Sequence, residues 1–125
     1  MVVTIEHVLA KIYPEEPDYD NAAELGPEAL PHLEIIVKIA EPMLASKATS
    51  MASHIPDIKS VEILKIAARS KDVTVRVAAA AGSRNLKIPS VREVLDLLKD
   101  DEDEGVRSIA RKSIELGYGH IGQES

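Results

Sequence analysis

The chain has 125 residues, a net charge of −6 and 45% hydrophobic residues, with no Cys, Phe or Trp. Its length predicts a single domain, residues 1–125, with a core of its own. The absence of cysteine excludes disulfides, a thiolate metal site and a cysteine nucleophile. A core built from Leu, Ile, Val and Ala favours close-packed helices over a β-sandwich or barrel.

The charges are distributed unevenly along the chain. Residues 1–41 contain nine acidic and two basic residues, residues 42–99 five and ten, and residues 100–125 seven and three. A basic middle segment would attract an anionic partner, although an ordinary solvated surface is the simpler explanation. No signal peptide and no apolar run of about 18 residues is found. We therefore expect a cytoplasmic protein without a membrane partner.

Residues 1–26 are predicted to form an N-terminal cap. Apolar residues spaced three and four apart indicate an amphipathic helix over 4–13, with Thr4 as a possible N-cap. Two prolines and three acidic residues end it at 14–18, and a short helix closed by glycine follows at 20–26. Ile35 and Ile39 lie away from the apolar face of the next helix, so we expect them to receive the amphipathic helix.

Three helix pairs are predicted to follow. They form repeat 1 (27–57), repeat 2 (58–88) and repeat 3 (89–117), and the glycine-rich residues 118–125 are predicted to be a flexible tail. Several columns of apolar residues recur every 31 positions without insertion, such as Leu33, Leu64 and Leu95. One helix pair cannot bury its apolar face alone, so stacking of neighbouring pairs would supply the core.

The same spacing recurs in a D-x-x-V-R-x-x-A motif. It occurs at Asp72–Ala79 and Asp103–Ala110, and Glu41–Ala48 is a weaker copy in which Ala45 replaces the arginine. The motif and the helix-pair period resemble short prokaryotic HEAT-like repeats, including the phycobilisome-lyase type. The resemblance implies an all-α fold: a HEAT-repeat-like α-solenoid of about three helix pairs with an N-terminal capping helix.

The resemblance also implies a structural ladder of charged residues. Each turn acid would cap the second helix of its pair and would contact the arginine of the next repeat. Carried over by position, Glu41 would meet Arg76 and Asp72 would meet Arg107, with Asp103 left at the open end. The absence of an arginine at Ala45 would then mark the first repeat, because no earlier repeat presents an acid to it.

No motif in the sequence indicates catalysis, a metal or a cofactor. The acidic run 100–104 lacks the Asp-x-Asp-x-Asp-Gly spacing of a calcium loop. The four histidines lack the i, i+4 spacing of a zinc helix, and neither a G-x-S-x-G turn nor a phosphate-binding glycine loop is present. We expect a non-enzymatic protein with no catalytic residue, no metal ligand and no cofactor.

The resemblance to HEAT-like repeats implies that the second helix of each pair lines the concave side of the stack. The helical period places a set of small residues opposite the core, with basic residues toward the C-terminal end. A protein or peptide segment with an apolar centre and an acidic end would suit this surface. The candidate partner-binding residues are Ser50, Ser53, Val77, Ala80, Ala81, Arg84, Arg111 and Lys112.

The leading hypothesis for function is a non-catalytic protein-interaction module, a small adaptor or scaffold. Nucleic-acid binding is an alternative that the basic middle permits, but the net negative charge and the lack of stacking aromatic residues count against it. A subunit of a bilin-lyase-like enzyme is a further alternative, suggested by the family resemblance alone. Self-association through apolar residues of repeat 3 (Ile109, Ile114 and Leu116) is also open.

Overall fold

The computed structural model describes residues 2–119. Within that range the chain forms eight α-helices and no strand, so the all-α prediction is confirmed. Two 3₁₀ turns, Ala23–Leu25 and Pro27–Ala29, lie between the second and third helices. The helices are α1 (Ile5–Ile12), α2 (Tyr19–Ala22), α3 (Leu30–Ile39), α4 (Pro42–Ser53), α5 (Ile58–Ala68), α6 (Val73–Gly82), α7 (Val91–Leu98) and α8 (Glu104–Glu115).

Helices α3 to α8 follow one another along the chain as three consecutive pairs. The two helices of each pair contact each other, and so do the first helices α3, α5 and α7 and the second helices α4, α6 and α8 of neighbouring pairs. The core lies between these two rows of helices. The columns of the 31-residue register are buried there, including Leu33, Leu64, Leu95, Ala48, Ala79 and Ala110.

Small residues bring α4 and α6 close together. A Cβ atom built on Gly82 would lie 2.8 Å from the Cβ atom of Ser53 and 3.4 Å from the side chain of Leu64. Only a residue without a side chain fits at position 82, because carbon atoms at 2.8 Å overlap. The loss in helix propensity caused by this glycine, about 1 kcal/mol relative to alanine, is therefore linked to the close approach of the two helices.

The N-terminal segment lies against the first helix pair. Thr4 is the N-cap of α1, as expected, and forms a capping box with His7. Helix α1 buries Val8 and Ile12 and contacts α3 and α4, while α2 contacts α4. The Lys47 ammonium group donates to the backbone oxygen of Pro14 at 2.8 Å, which holds the connecting segment against α4.

The expectation that α1 covers Ile35 and Ile39 is wrong. Ile39 is 78% exposed and Ile35 is 46% exposed. The apolar stripe of α1 instead belongs to the core that contains Leu30 and Leu33, on the inner side of α3. The two isoleucines therefore remain as exposed apolar side chains on the outside of the first pair.

The structure that follows α8 differs from the predicted flexible tail, 118–125, at its first two residues. Gly117 has a φ of 95°, and the backbone N–H groups of Gly117 and Tyr118 donate to Ile114 and Ser113, which is the pattern of a Schellman cap. Tyr118 is half-buried, and a Cβ atom on Gly119 would lie 2.6 Å from the backbone nitrogen of Arg92. Residues 118 and 119 are therefore packed, and 120–125 lie outside the described residues.

Candidate functional site

The acidic residues of the repeat motif occupy the N-cap positions of the three second helices. Asp72 accepts from the Thr74 N–H at 2.8 Å and Asp103 from the Val106 N–H at 2.9 Å. The side chain of Glu41 is longer than that of an aspartate, and its carboxylate accepts from two backbone N–H groups of α4, each at 2.9 Å. This is the capping role that the family resemblance implies. Each cap satisfies a helix N–H group that has no partner within its own helix.

The pairing of these acids with the arginines of the next repeat is wrong. Arg76 donates from Nε and Nη2 to the two carboxylate oxygens of Asp101, at 2.8 and 3.2 Å, rather than to Glu41. Its Nη1 donates to the backbone oxygens of Ser70 and Lys71. The arginine therefore reaches forward to the turn of the following repeat, and Asp72 makes no contact with Arg107 among residues 2–119.

The forward direction also changes the explanation for Ala45. In the register of 31 residues, Arg76 corresponds to Ala45 and Asp101 corresponds to Ser70. The junction between repeats 1 and 2 therefore places a small residue at each of the two positions, whereas the junction between repeats 2 and 3 places an arginine and an aspartate. Ala45 is buried, and it has no arginine side chain for which Ser70 would have to supply a carboxylate.

The Arg76–Asp101 ion pair is largely buried. The side chains are 11% and 8% exposed. Burial raises the pKa of Asp101, but the N–H of Asp103 and the guanidinium groups of Arg76 and Arg107 outweigh it and hold this pKa below its usual range. Asp101 is consequently ionised at neutral pH and fixes the turn as well as the junction.

The predicted partner-binding residues do not form one surface. Ser53 and Ala80 are fully buried in the contacts of α4 and α6 and cannot meet a partner. Arg111 turns toward the open end of repeat 3, where Nε donates to the Lys99 backbone oxygen at 2.7 Å and Nη2 to Asp100 at 3.0 Å. The prediction assumed an ideal rotation of 100° per residue along each helix, which does not distinguish Ser53 and Ala80 from the outward-facing residues.

Arg84 is engaged within the protein. Its Nε donates to the Ser113 hydroxyl at 2.7 Å, and its guanidinium lies over the ring of Tyr118 with 5.8 Å to the centroid. Lys112 remains exposed and pairs with Glu115 of its own helix at 3.3 Å. The predicted basic strip is therefore reduced to Lys112 and a half-buried Arg84.

Equivalent outward positions of the three second helices remain accessible. We define the second-helix face as the six residues that are exposed or half-exposed in two rows of the register: Ser46, Val77 and Ser108 in one row, and Ser50, Ala81 and Lys112 in the other. Serines lie at the α4 end, small apolar side chains lie on α6, and a lysine lies at the α8 end. The predicted residues Ser50, Val77, Ala81 and Lys112 belong to this face.

Sequence reasoning missed a polar cluster beside the α4 end of this face. The Tyr19 and His54 rings stack with centroids 5.6 Å apart. Burial raises the pKa of Tyr19, and a hydrogen bond with the Ser50 side chain partly offsets the effect. Asn85, which is equivalent to His54 in the register, donates to the Ser53 hydroxyl at 3.0 Å. In the sequence, the only sign of this cluster is that polar residues, His54 and Asn85, occupy equivalent positions of the register.

Two cavities also lie at the surface of the described residues. One of about 210 Å³ lies between the α6–α7 loop and the end of α8, and is lined by Leu86, Lys87, Ile88, Pro89, Gly117, Tyr118 and Gly119. The other, of about 220 Å³, is lined by His7, Ala10, Lys11 and Leu25. Among the described residues, no group of three or more His, Asp or Glu side chains is placed to hold a metal ion. In the same range, no helix has the length and apolar character needed to cross a membrane.

Comparison of the chain with protein-family models, with curated proteins and with solved structures gives no match. The resemblance to HEAT-like repeats therefore rests on the residues of the chain itself.

Proposed function

We propose that the chain is a HEAT-like α-solenoid of three helix pairs that binds a segment of a partner protein along the second-helix face. The N-terminal helix α1 caps this stack at its first pair. The second-helix face is its concave side, and the bound segment has an apolar centre over α6 and an acidic end near Lys112. The protein acts without catalysis, as an adaptor or scaffold in the cytoplasm.

The solenoid is supported by the order of helix contacts. First helices contact first helices and second helices contact second helices across both junctions, as expected when pairs stack with a constant offset. Acidic N-caps lie at equivalent positions of α4, α6 and α8, so the second helix of each pair begins in the same register. In such a stack, the outward side of the middle second helix is open to a partner along its whole length.

The binding proposal rests mainly on the exposure of the residues on the outer side of α6. Helix α6 is flanked by α4 and α8, yet its small residue Ala81 is exposed, and Val77, which packs in part against the core, is half-exposed. A partner backbone can approach such a surface closely, and each apolar side chain that it buries there contributes about 25 cal/mol per Å². Lys112 at one end supplies a charge that favours one orientation of the segment.

Affinity capture from the native lysate, followed by mass spectrometry, tests this proposal. An Ala81→Glu variant places a charge on the apolar part of the face, and Lys112→Glu reverses the charge at its end. We expect both variants to lose the proteins that the wild type retains. Lys38→Glu is the matched control, because Lys38 and Lys112 are similarly exposed, at 52% and 59%, and each pairs with a glutamate of its own helix.

The proposal fails if Ala81→Glu and Lys112→Glu retain the same proteins as the wild type. It also fails if the captured material is nucleic acid, which a salt titration identifies because phosphate contacts weaken steeply as salt concentration rises. A coloured pigment that copurifies with the chain would favour the bilin-lyase alternative instead.

A further inference from the structure

The register of 31 residues identifies the positions through which one repeat contacts the next. On the first helices, Glu34 reaches Lys59 of α5, and Lys65, its equivalent, reaches Glu93 of α7. On the second helices, Arg76 reaches Asp101 of the next turn. The equivalent positions of repeat 3 therefore lie at its open end.

The open end of repeat 3 carries charged side chains where the earlier junctions are mostly small or apolar. Val61 and Ala68 are buried residues of α5, the first helix of repeat 2, which contacts α7, and their equivalents are Arg92 and Lys99. On the second helices, buried Ala80 corresponds to Arg111. With Arg107, four basic residues lie at this end. Asp96 contacts Arg92 and Lys99, and Asp100 contacts Arg111. Among residues 2–119, Arg107 is the one of these four basic residues that has no acidic side chain within ion-pair distance.

Arg107 is held in the same way as Arg76. The Nη1 of Arg76 donates to the backbone oxygen of Ser70 at 3.0 Å, and the Nη1 of Arg107 donates to the equivalent backbone oxygen, that of Asp101, at 2.7 Å. In Arg76 the remaining edge, Nε and Nη2, holds the Asp101 carboxylate. In Arg107 that edge has no hydrogen-bond partner among residues 2–119.

We propose that Arg107 is a carboxylate-binding site at the open end of repeat 3, and that it binds an acidic interhelical turn of a partner protein. The occupant is indicated by the junction inside the chain, where Asp101 accepts from both Arg76 and the Asp103 N–H and so belongs to an Asp-x-Asp turn. A guanidinium with one edge fixed is preorganised for a two-point contact with a carboxylate.

A separate protein fits this site better than a second copy of the chain in the same stacking arrangement. The positions equivalent to Asp101 in repeats 1 and 2 are Ile39 and Ser70. A second copy that stacked on the open end as repeat 3 stacks on repeat 2 would therefore present no carboxylate to Arg107. The site is also distinct from the second-helix face and does not depend on the function proposed for it.

The test is a titration of the full chain, labelled with ¹⁵N, with a capped peptide that copies residues 97–105, Leu-Leu-Lys-Asp-Asp-Glu-Asp-Glu-Gly. The Nε–H signal of each arginine reports hydrogen bonding of its guanidinium. We expect the Arg107 signal to move toward the position of the Arg76 signal, which is already bound to a carboxylate and should stay constant. A peptide with asparagine in place of the second aspartate should bind about tenfold more weakly, because a neutral amide replaces the carboxylate.

Arg107→Gln should weaken peptide binding about tenfold, and Arg107→Lys, which retains the charge without the fork, should bind with intermediate affinity. Arg69→Gln is the matched control, since it removes the same charge from an exposed position at the end of α5. Far-UV circular dichroism checks that all variants are folded.

Equal weakening in the Arg107→Gln and Arg69→Gln variants would show a general charge effect and would overturn the proposal. An unchanged Arg107 signal at low salt would overturn it as well. A concentration-dependent dimer that Arg107→Gln dissociates would show that a second copy occupies the site, which contradicts the proposed partner.

Discussion

Removal of the Arg76–Asp101 pair should destabilise the protein strongly when one partner is changed, and by clearly less than the sum of the two single losses when both are changed. Arg76→Ala leaves the Asp101 carboxylate, which is 8% exposed, without its guanidinium. Asp101→Ser leaves the Arg76 guanidinium, which is 11% exposed, with two backbone oxygens and a 4.0 Å contact with the exposed Glu102 carboxylate. Loss of one partner of a buried pair costs about 3 kcal/mol, at the lower end of the usual range because both groups are close to the surface.

The double variant Arg76→Ala/Asp101→Ser reproduces the neutral pair that the chain already has at its first junction, Ala45 and Ser70. No buried charge is left unpaired in it. We therefore expect the two single losses to add to more than the loss in the double variant, with a coupling energy of about 2 kcal/mol.

Urea unfolding followed by far-UV circular dichroism measures these losses, since the chain has no tryptophan. For 125 residues, a loss of 1 kcal/mol lowers Tm by about 4 °C, so each single variant should melt about 12 °C below the wild type. The m-value should stay constant, which shows that the pairs still unfold together. Single losses below about 0.5 kcal/mol, the range of an exposed surface pair, would refute the reasoning.

Three further predictions concern single residues. The pKa of Asp101 is lower in the folded protein than in the unfolded chain. The ionised Asp101 carboxylate therefore contributes fully to stability above the pKa of an ordinary aspartate, about 3.9, and this contribution is lost as the pH falls through the lower folded value. The decrease in Tm on acidification should consequently be smaller in Asp101→Asn than in the wild type. Gly82→Ala should destabilise by about 2 kcal/mol despite the better helix propensity of alanine, since its Cβ overlaps Ser53, and Ser53→Gly should restore part of the loss in urea unfolding. Asp72→Ala should cost about 1 kcal/mol through the lost N-cap while Asp72→Ser should cost much less; equal losses in these two variants would contradict the capping role.

The helix pairs were predictable because their signals are local and repeated. Apolar spacing, prolines and turn acids agree in each pair, and the columns at Leu33 and Ala48 place the same residue types in the core every 31 positions. The short α2 and the 3₁₀ turns before α3 were placed only approximately. The packing of α1 was predicted incorrectly, because the face of α3 that receives it depends on how the first pair itself is oriented.

The ion pair was missed because the sequence does not give the direction of stacking. Asp72 and Asp101 are both acidic residues near an interhelical turn, and either could lie next to an arginine of another repeat. Asp101 also lies within a run of five acidic residues, 100–104, whose charge alone suggests a solvated turn. Its burial follows from the position of α6, where Arg76 points toward repeat 3. The contrast with Ile39 and Ser70 at equivalent positions was the available signal.

Arg76 and Arg107 have different roles although they belong to copies of the same motif: Arg76 joins two stacked repeats, and Arg107 is proposed to bind a partner. Both arginines occupy the same position of the D-x-x-V-R-x-x-A motif, and both donate from Nη1 to an equivalent turn oxygen. Arg76 has a carboxylate from the next repeat, so a substitution there should act mainly on stability. Arg107 makes no hydrogen bond to a carboxylate within residues 2–119, although it donates to the Asp101 backbone oxygen and helps to lower the pKa of Asp101. The same substitution should therefore reduce stability less than at Arg76 and act mainly on binding at the open end. The role of the arginine is therefore set by what lies on the C-terminal side of its repeat, and not by the motif.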